Sequence, residues 1–354
     1  MNQFNVEKII KDFPNLNVKI NGKKLVYFDN AATTLKPRCV INAINTYYSE
    51  ECANIHRGIH YLSEKSTHKF EQSREKVKNF INAKHNEEII FTYSATHALN
   101  LLAYSLAKEY FKPNDQIIVS YLEHHSNLIP WQIIAKELSL NLKACSLTKD
   151  YILDIDNLKS LINPKVKLIA LTYASNVLGT VNPIEDIIDI AHKHKIKVII
   201  DATQYVPHGT IDVQKLDCDF LIFSGHKMYA PFGVGVLYGK KTLLEQIPVS
   251  FGGGGMNLDV SINDFTSLNP PYKFEAGTSD VSAVIALYDA IDYLNSQILM
   301  GAFEYEKTLL EYAKEKFINI NGIKMFCSNL CNKSVPIISF ALNGIHSHDI
   351  ATIL

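Results

Sequence analysis

The middle of the chain alternates short, almost wholly apolar runs with segments of helical spacing. Residues 88–92, 116–120, 166–173, 197–201, 219–224 and 234–238 are rich in Ile, Val, Leu and Phe. They lack the apolar–polar alternation of a half-exposed strand, so each predicts a strand covered on both faces. Between them, residues 97–110, 130–138 and 183–194 carry helical patterns. This rhythm predicts an α/β domain built on a largely parallel sheet. The last part reads differently: residues 281–318 predict two helices, 335–343 a strand and 347–354 the opening of another helix.

A chain of 354 residues predicts about two domains. Hydrophobic residues at 47% against 20% charged exclude a disordered chain. Lys plus Arg (35) balances Asp plus Glu (36), so charge points to neither nucleic acid nor an anionic membrane. No apolar run approaches the roughly 18 residues of a membrane span, and residues 1–13 lack a signal-peptide core. A cytoplasmic protein is expected. The six cysteines are scattered, which predicts no disulfide framework. Cys327 and Cys331 are four apart, with His346 and His348 the nearest candidate partners, but the spacing does not make a zinc site and no metal is expected.

The chemistry-bearing residues recur just past predicted strand ends, where ligands bind in open α/β sheets. Lys227 follows a Ser224-Gly225-His226 turn and is placed to form a Schiff base if part of its amine is neutral. Ser224 and His226 are potential anion donors. Asp201 suits a protonated pyridine nitrogen and Gln204 a neighbouring phenolate oxygen. A helix N-cap is the plainer reading of Asp201. His124 lies in Glu123-His124-His125-Ser126-Asn127, a stacking platform, an acid/base or merely a polar loop. Asn176 lies in a turn ending at Gly179 and Thr180. Ala95 and Thr96 open a helix whose N–H groups would bind phosphate, or are simply capped by Ser94 or Thr96. Thr278 follows Phe274-Glu275-Ala276-Gly277, and residues 252–255 are four glycines.

In this order, together with Tyr27-Phe28-Asp29-Asn30-Ala31-Ala32-Thr33-Thr34, Asn54-Ile55-His56-Arg57-Gly58-Ile59-His60 and Pro130-Trp131, these segments resemble class V aminotransferases that use pyridoxal 5'-phosphate. The match is closest to the type II (Suf-type) cysteine desulfurases and covers residues 10–354. The resemblance implies a PLP-transferase (aspartate-aminotransferase-like) α/β fold. It implies an N-terminal segment (1–25), a large cofactor domain (26–285) and a smaller α+β domain (286–354) incomplete at its C-terminus. Carried over, Lys227 would hold the cofactor, His124 would stack on its ring, Asp201 would pair with the ring nitrogen and Gln204 with the ring hydroxyl. Ala95, Thr96, Ser224 and His226 would bind the phosphate, Thr278 would reach the phosphate of a partner subunit in a homodimer, and Asn176 and His56 would face substrate. The implied reaction converts L-cysteine to L-alanine, with sulfur passed to an acceptor protein for iron–sulfur clusters.

The sequence departs from the family in places. The family's thiolate lies in an Arg-x-Gly-x-x-Cys segment past the region matching residues 335–354, and its substrate-carboxylate arginine is also expected beyond Leu354. None of the six cysteines has that context. A chain lacking these last few tens of residues is expected to expose apolar surface and an unpaired strand edge. Tyr93, Ser94 and His97 stand where the family usually carries Arg, Gly and Glu. Thr203 replaces a usual Ala, and Ala230 and Phe232 a usual Gly and Thr. Selenocysteine lyase, cysteine-sulfinate desulfinase or another class V enzyme such as an epimerase-like member, and a cofactor-fold pseudoenzyme, are alternative readings.

Overall fold

The computed structural model describes residues 4–326 and 334–354. Its centre is a seven-stranded sheet, with strands numbered here in chain order: β1 (Ile89–Thr92), β2 (Gln116–Ser120), β3 (Asn141–Cys145), β4 (Val166–Thr172), β5 (Lys197–Asp201), β6 (Phe220–Ser224) and β7 (Gly235–Gly239). The spatial order is β1-β7-β6-β5-β4-β2-β3. The β3-β2-β4-β5-β6 neighbours pair in parallel. β7 is antiparallel to both β6 and β1. Two reversals cancel, so β1 runs in the same direction as β6. The C-terminal ends of six strands therefore lie along one edge of the sheet.

The six apolar runs are six of these seven strands. Side chains alternate between faces, and both faces are covered: Phe220 and Ile222 enter one core, Leu221 and Phe223 the other. β3 was not anticipated. It is an edge strand with mostly exposed residues, so it lacks the continuous apolar signal. Three strands begin one residue later than predicted, at Ile89, Phe220 and Gly235, and in the first two the residue left outside is acidic with its side chain bonded elsewhere. Glu88 accepts from the Lys84 and His85 amides, and Asp219 accepts from the Val198 amide at 2.8 Å.

Helices Ala95–Ala107, Ile129–Glu137 and Ile184–Lys193 occupy the anticipated segments. Helix Arg38–Thr46 starts beside Cys39, and helix Tyr61–Phe80 is one that the sequence pattern does not show. The second is highly polar yet buries Phe70, Val77, three serines and Arg74, and both pack against helix Val281–Leu299. Gly301, at φ 95°, separates that helix from Ala302–Ile318, giving the two expected helices.

The strand expected over residues 335–343 is corrected to Ser339–Leu342, antiparallel to Ile323–Phe326. Upstream of it, Pro336 has no N–H to donate to a ladder. Val335 instead donates to the Gly179 carbonyl at 2.8 Å, and Ser334 bridges to Thr180. This docks the C-terminal region onto the turn after β4. The chain then forms helix Ser347–Ile353. Cys327 and Cys331 lie outside the described residues. Among the described residues, no helix is long and apolar enough to cross a membrane, and no group of three His, Cys, Asp or Glu side chains is arranged to hold a metal.

Candidate active site

The sheet edge collects the residues singled out by sequence. Asp201 ends β5 and is buried. One carboxylate oxygen accepts from the Thr203 amide at 3.0 Å. No helix starts there, since residues 203–208 form turns and the next helix begins at Val213. The N-cap reading of Asp201 therefore fails, and its side chain is held by a local turn. The same turn presents buried Gln204, whose Oε1 accepts from the Lys227 amine at 3.2 Å.

Lys227 ends a tight 3-10 turn, Gly225–Lys227, directly after β6. Burial pulls its amine below the ordinary lysine value, while the Asp201 carboxylate opposes that shift. The lysine is thus partly desolvated, as an amine nucleophile requires. His124, past the end of β2, accepts from the Ser126 amide at Nδ1 (3.1 Å). Because that nitrogen accepts, the neutral ring carries its proton on Nε2. Burial, and then the Lys227 charge, lower the His124 pKa. A neutral, oriented imidazole is the result.

A second set of donors sits beside Lys227. Ser224 pairs with Gly235 across β6 and β7, and Thr92 pairs with the same glycine from β1. A Cβ on Gly235 would lie 2.5 Å from the Ser94 carbonyl carbon, so only glycine allows this approach. Ser94 Oγ accepts from the His97 amide at 3.1 Å, which makes Ser94 the helix cap. Ala95 and Thr96 then hold the first two helical positions, whose N–H groups have no acceptor inside the helix. Ser224 Oγ and His226 Nδ1 are buried with no hydrogen-bond partner among the described residues. A polar atom left this way costs about 1–3 kcal/mol. Burial, with the Lys227 and Lys36 charges, lowers the His226 pKa to about 4, so its ring is neutral at pH 7. Open hydroxyl, imidazole and helix-end N–H groups make a donor set for an anion.

Asn176 lies half-buried in the turn after β4. Glu123 stands directly before His124. Its carboxylate accepts from Ser120 Oγ (2.5 Å), Asn127 Nδ2 (2.6 Å) and the Thr172 amide (3.1 Å), tying the ends of β2 and β4 together. Desolvation, reinforced by Asp201, raises its pKa to about 8 against the pull of these donors. Its only sequence signal is an acidic residue directly after a strand.

Two singled-out residues stand apart. Among the described residues, no hydrogen bond or ion pair joins His56 or Thr278 to Lys227, Asp201 or Gln204. His56, at φ 69°, bonds Glu71 at 3.0 Å and packs edge-on against Phe70 and Tyr272. Thr278 is exposed, and its carbonyl accepts from the Tyr93 hydroxyl at 3.0 Å. Tyr93 in turn stacks on His97 (centroids 5.3 Å), so an aromatic pair fills the place where the family resemblance expects Arg and Glu.

The family profile "Aminotransferase class-V" matches residues 26–354. A cysteine desulfurase from Serratia proteamaculans (strain 568) is 42% identical over 352 residues, covering 99% of this chain and 86% of the relative. The structure of a cysteine desulfurase from Thermococcus onnurineus NA1 superposes with a TM-score of 0.91 at 36% identity, over 98% of this chain and 85% of that one. The cysteine desulfurase CsdA from Escherichia coli gives a TM-score of 0.90 at 36% identity, over 99% and 86%.

Proposed function

The chain belongs to the class V aminotransferase family, and from that premise we propose that it is a cysteine desulfurase of the type II (Suf-type) subgroup. It converts L-cysteine to L-alanine and passes the sulfur to an acceptor protein for iron–sulfur cluster assembly. The family's cofactor is pyridoxal 5'-phosphate. The observation that carries this reading is the convergence of half-buried Lys227 and buried Asp201 and Gln204 with the open donors of Ser224 and His226. That donor set fits a phosphate beside a charged ring.

When bound, the cofactor supplies an electron sink for negative charge at the substrate α-carbon. The protein does the rest. Lys227 would anchor the cofactor and would move a proton at Nζ. Asp201 holds a proton on the ring nitrogen, and Gln204 orients the ring oxygen. Neutral His124 covers the ring face. Ser224, His226 and the helix end at Ala95 and Thr96 bind the phosphate. Asn176 and His56 face the substrate, and Thr278 reaches the phosphate of a second copy in a homodimer. Exposed Tyr93, Phe232, Phe251 and Ile59 supply apolar surface for that pairing. A large domain over residues 26–285 and a small one over 286–354 go with this reading. A cytoplasmic setting goes with the free Cys39, Cys52, Cys145 and Cys218.

A second reading, selenocysteine lyase or cysteine-sulfinate desulfinase, draws support from those cysteines. Burial raises the thiol pKa of Cys145 to about 11, and raises those of Cys39 and Cys218 as well. None of these three is a ready thiolate. The test is alanine release by the cofactor-loaded protein from cysteine, selenocysteine and cysteine sulfinate. Preference for cysteine supports the first reading, and release only from the other two supports the second. A yellow protein that releases no alanine would be a pseudoenzyme. Lys227→Ala should lose both the colour and turnover, and an unchanged spectrum would refute its role.

A further inference from the structure

The carbonyl oxygen of His226, one residue before Lys227, accepts from four donors. These are Lys36 Nζ (2.8 Å), Thr33 Oγ1 (3.1 Å), Thr34 Oγ1 (3.1 Å) and the Thr34 amide (3.2 Å). An sp² oxygen has two lone pairs, so this is an unusually crowded acceptor. Lys36 Nζ also lies 3.3 Å from Thr34 Oγ1 and 3.5 Å from Thr33 Oγ1. Among the described residues it has no carboxylate partner. Burial lowers its pKa to about 8, so it is mostly charged at neutral pH.

The same segment holds the loop on its far side. Thr34 Oγ1 accepts from the Tyr229 amide at 3.0 Å. Tyr229 has φ 71°, a left-handed conformation that a bulky residue adopts only when its surroundings impose it. The His226 ring is stacked on Phe232 (centroids 5.3 Å, 23°), and Lys36 Nζ lies 5.5 Å from the same Phe232 ring. Backbone on both sides of Lys227 is therefore pinned by residues 33–36, almost two hundred positions away in the chain.

We propose that Lys36 is a positioning residue: with Thr33 and Thr34 it clamps the His226 carbonyl and thereby fixes the backbone from which Lys227 projects. It touches neither substrate nor cofactor in this role. The inference rests on the assignment of Lys227 as the cofactor-anchoring lysine.

The test compares Lys36→Met, Lys36→Arg and Thr33→Val in the full, cofactor-loaded chain, with Lys227→Ala as control. The groups facing Lys227 are Asp201, Gln204, His124 and His226, and all are retained in the three test variants. In Lys36→Met, kcat should fall about tenfold or more, with KM changed less than about threefold, because small misplacements of a reacting group cost rate. The visible absorbance band should shift or broaden, because the lysine is no longer held in one position. Lys36→Arg should restore the band and most of kcat. Thr33→Val, which removes one donor at nearly constant shape, should show a smaller loss and covers the case in which Lys36→Met does not fold. A normal band and kcat in Lys36→Met, or in Thr33→Val if that is the folded variant, would overturn the clamp. Equal impairment of Lys36→Met and Lys36→Arg would overturn it too, since the donors would then not matter. A Lys227→Ala protein that stays yellow would instead remove the premise.

Discussion

Two buried polar clusters lie within this fold, and they differ in whether their hydrogen-bonding capacity is used up. The cluster around Arg74 is saturated. The guanidinium is 1% exposed and meets both Glu275 oxygens, at 2.7 and 2.9 Å. It also meets Glu71 at 2.9 Å and the Ile89 carbonyl at 2.7 Å. Glu275 additionally accepts from the Phe91 amide, and Glu71 bonds His56. Phe70, Phe91 and Tyr272 surround the guanidinium with ring faces. The cluster around Lys227 is open, with Ser224 Oγ and His226 Nδ1 buried and unpartnered. Saturation is what a structural network needs, because a half-satisfied one is worse than none. Open valences at a sheet edge are what a ligand site needs. His56 joins the saturated cluster through its bond to Glu71.

This contrast is broken if the open site behaves as structure. Asp201→Ala is expected to lower alanine formation by about a hundredfold or more, with little change in melting temperature. Wild-type turnover in that variant would end its role toward the ring nitrogen. In the saturated cluster the effect should reverse. Arg74→Met leaves the buried Glu275 carboxylate without its guanidinium, at a cost of about 3–5 kcal/mol, read by urea unfolding. The folded fraction should keep its colour. Equal stability of the two proteins would show the network to be dispensable.

A finer test uses acid. Desolvation opposes ionisation of Glu71, but the hydrogen bond from His56 and the Arg74 charge prevail and hold its pKa near 2 against an ordinary 4.5. A lowered folded pKa contributes stability that is fully present above pH 4.5 and is lost as pH falls towards 2. The loss of stability between those values should be smaller in Glu71→Gln than in the parent protein, measured by denaturant unfolding at each pH. Identical pH profiles would detach Glu71 from the network.

Much of the open site was legible because each of its residues follows an apolar run. A strand end is visible in sequence: Ser224 and Asp201 close strands, and His226, Lys227, Gln204 and His124 sit just beyond one. The saturated cluster was not legible. Arg74 sits in a highly polar helix where nothing local marks it as buried, and Glu275 is 201 positions away. Lys36 was hidden for the same reason, since its acceptor is a backbone carbonyl, which has no sequence signature.

The sequence by itself determined the apolar strands, the α/β alternation and the placement of chemistry at strand ends, because all three are local patterns that burial and backbone geometry impose. Only the tertiary structure decided the strand order, with β7 reversed between β1 and β6 so that their ends share an edge. It also decided which polar residues are satisfied and which are left open. That distinction depends on partners brought together across the chain, and no single segment carries it.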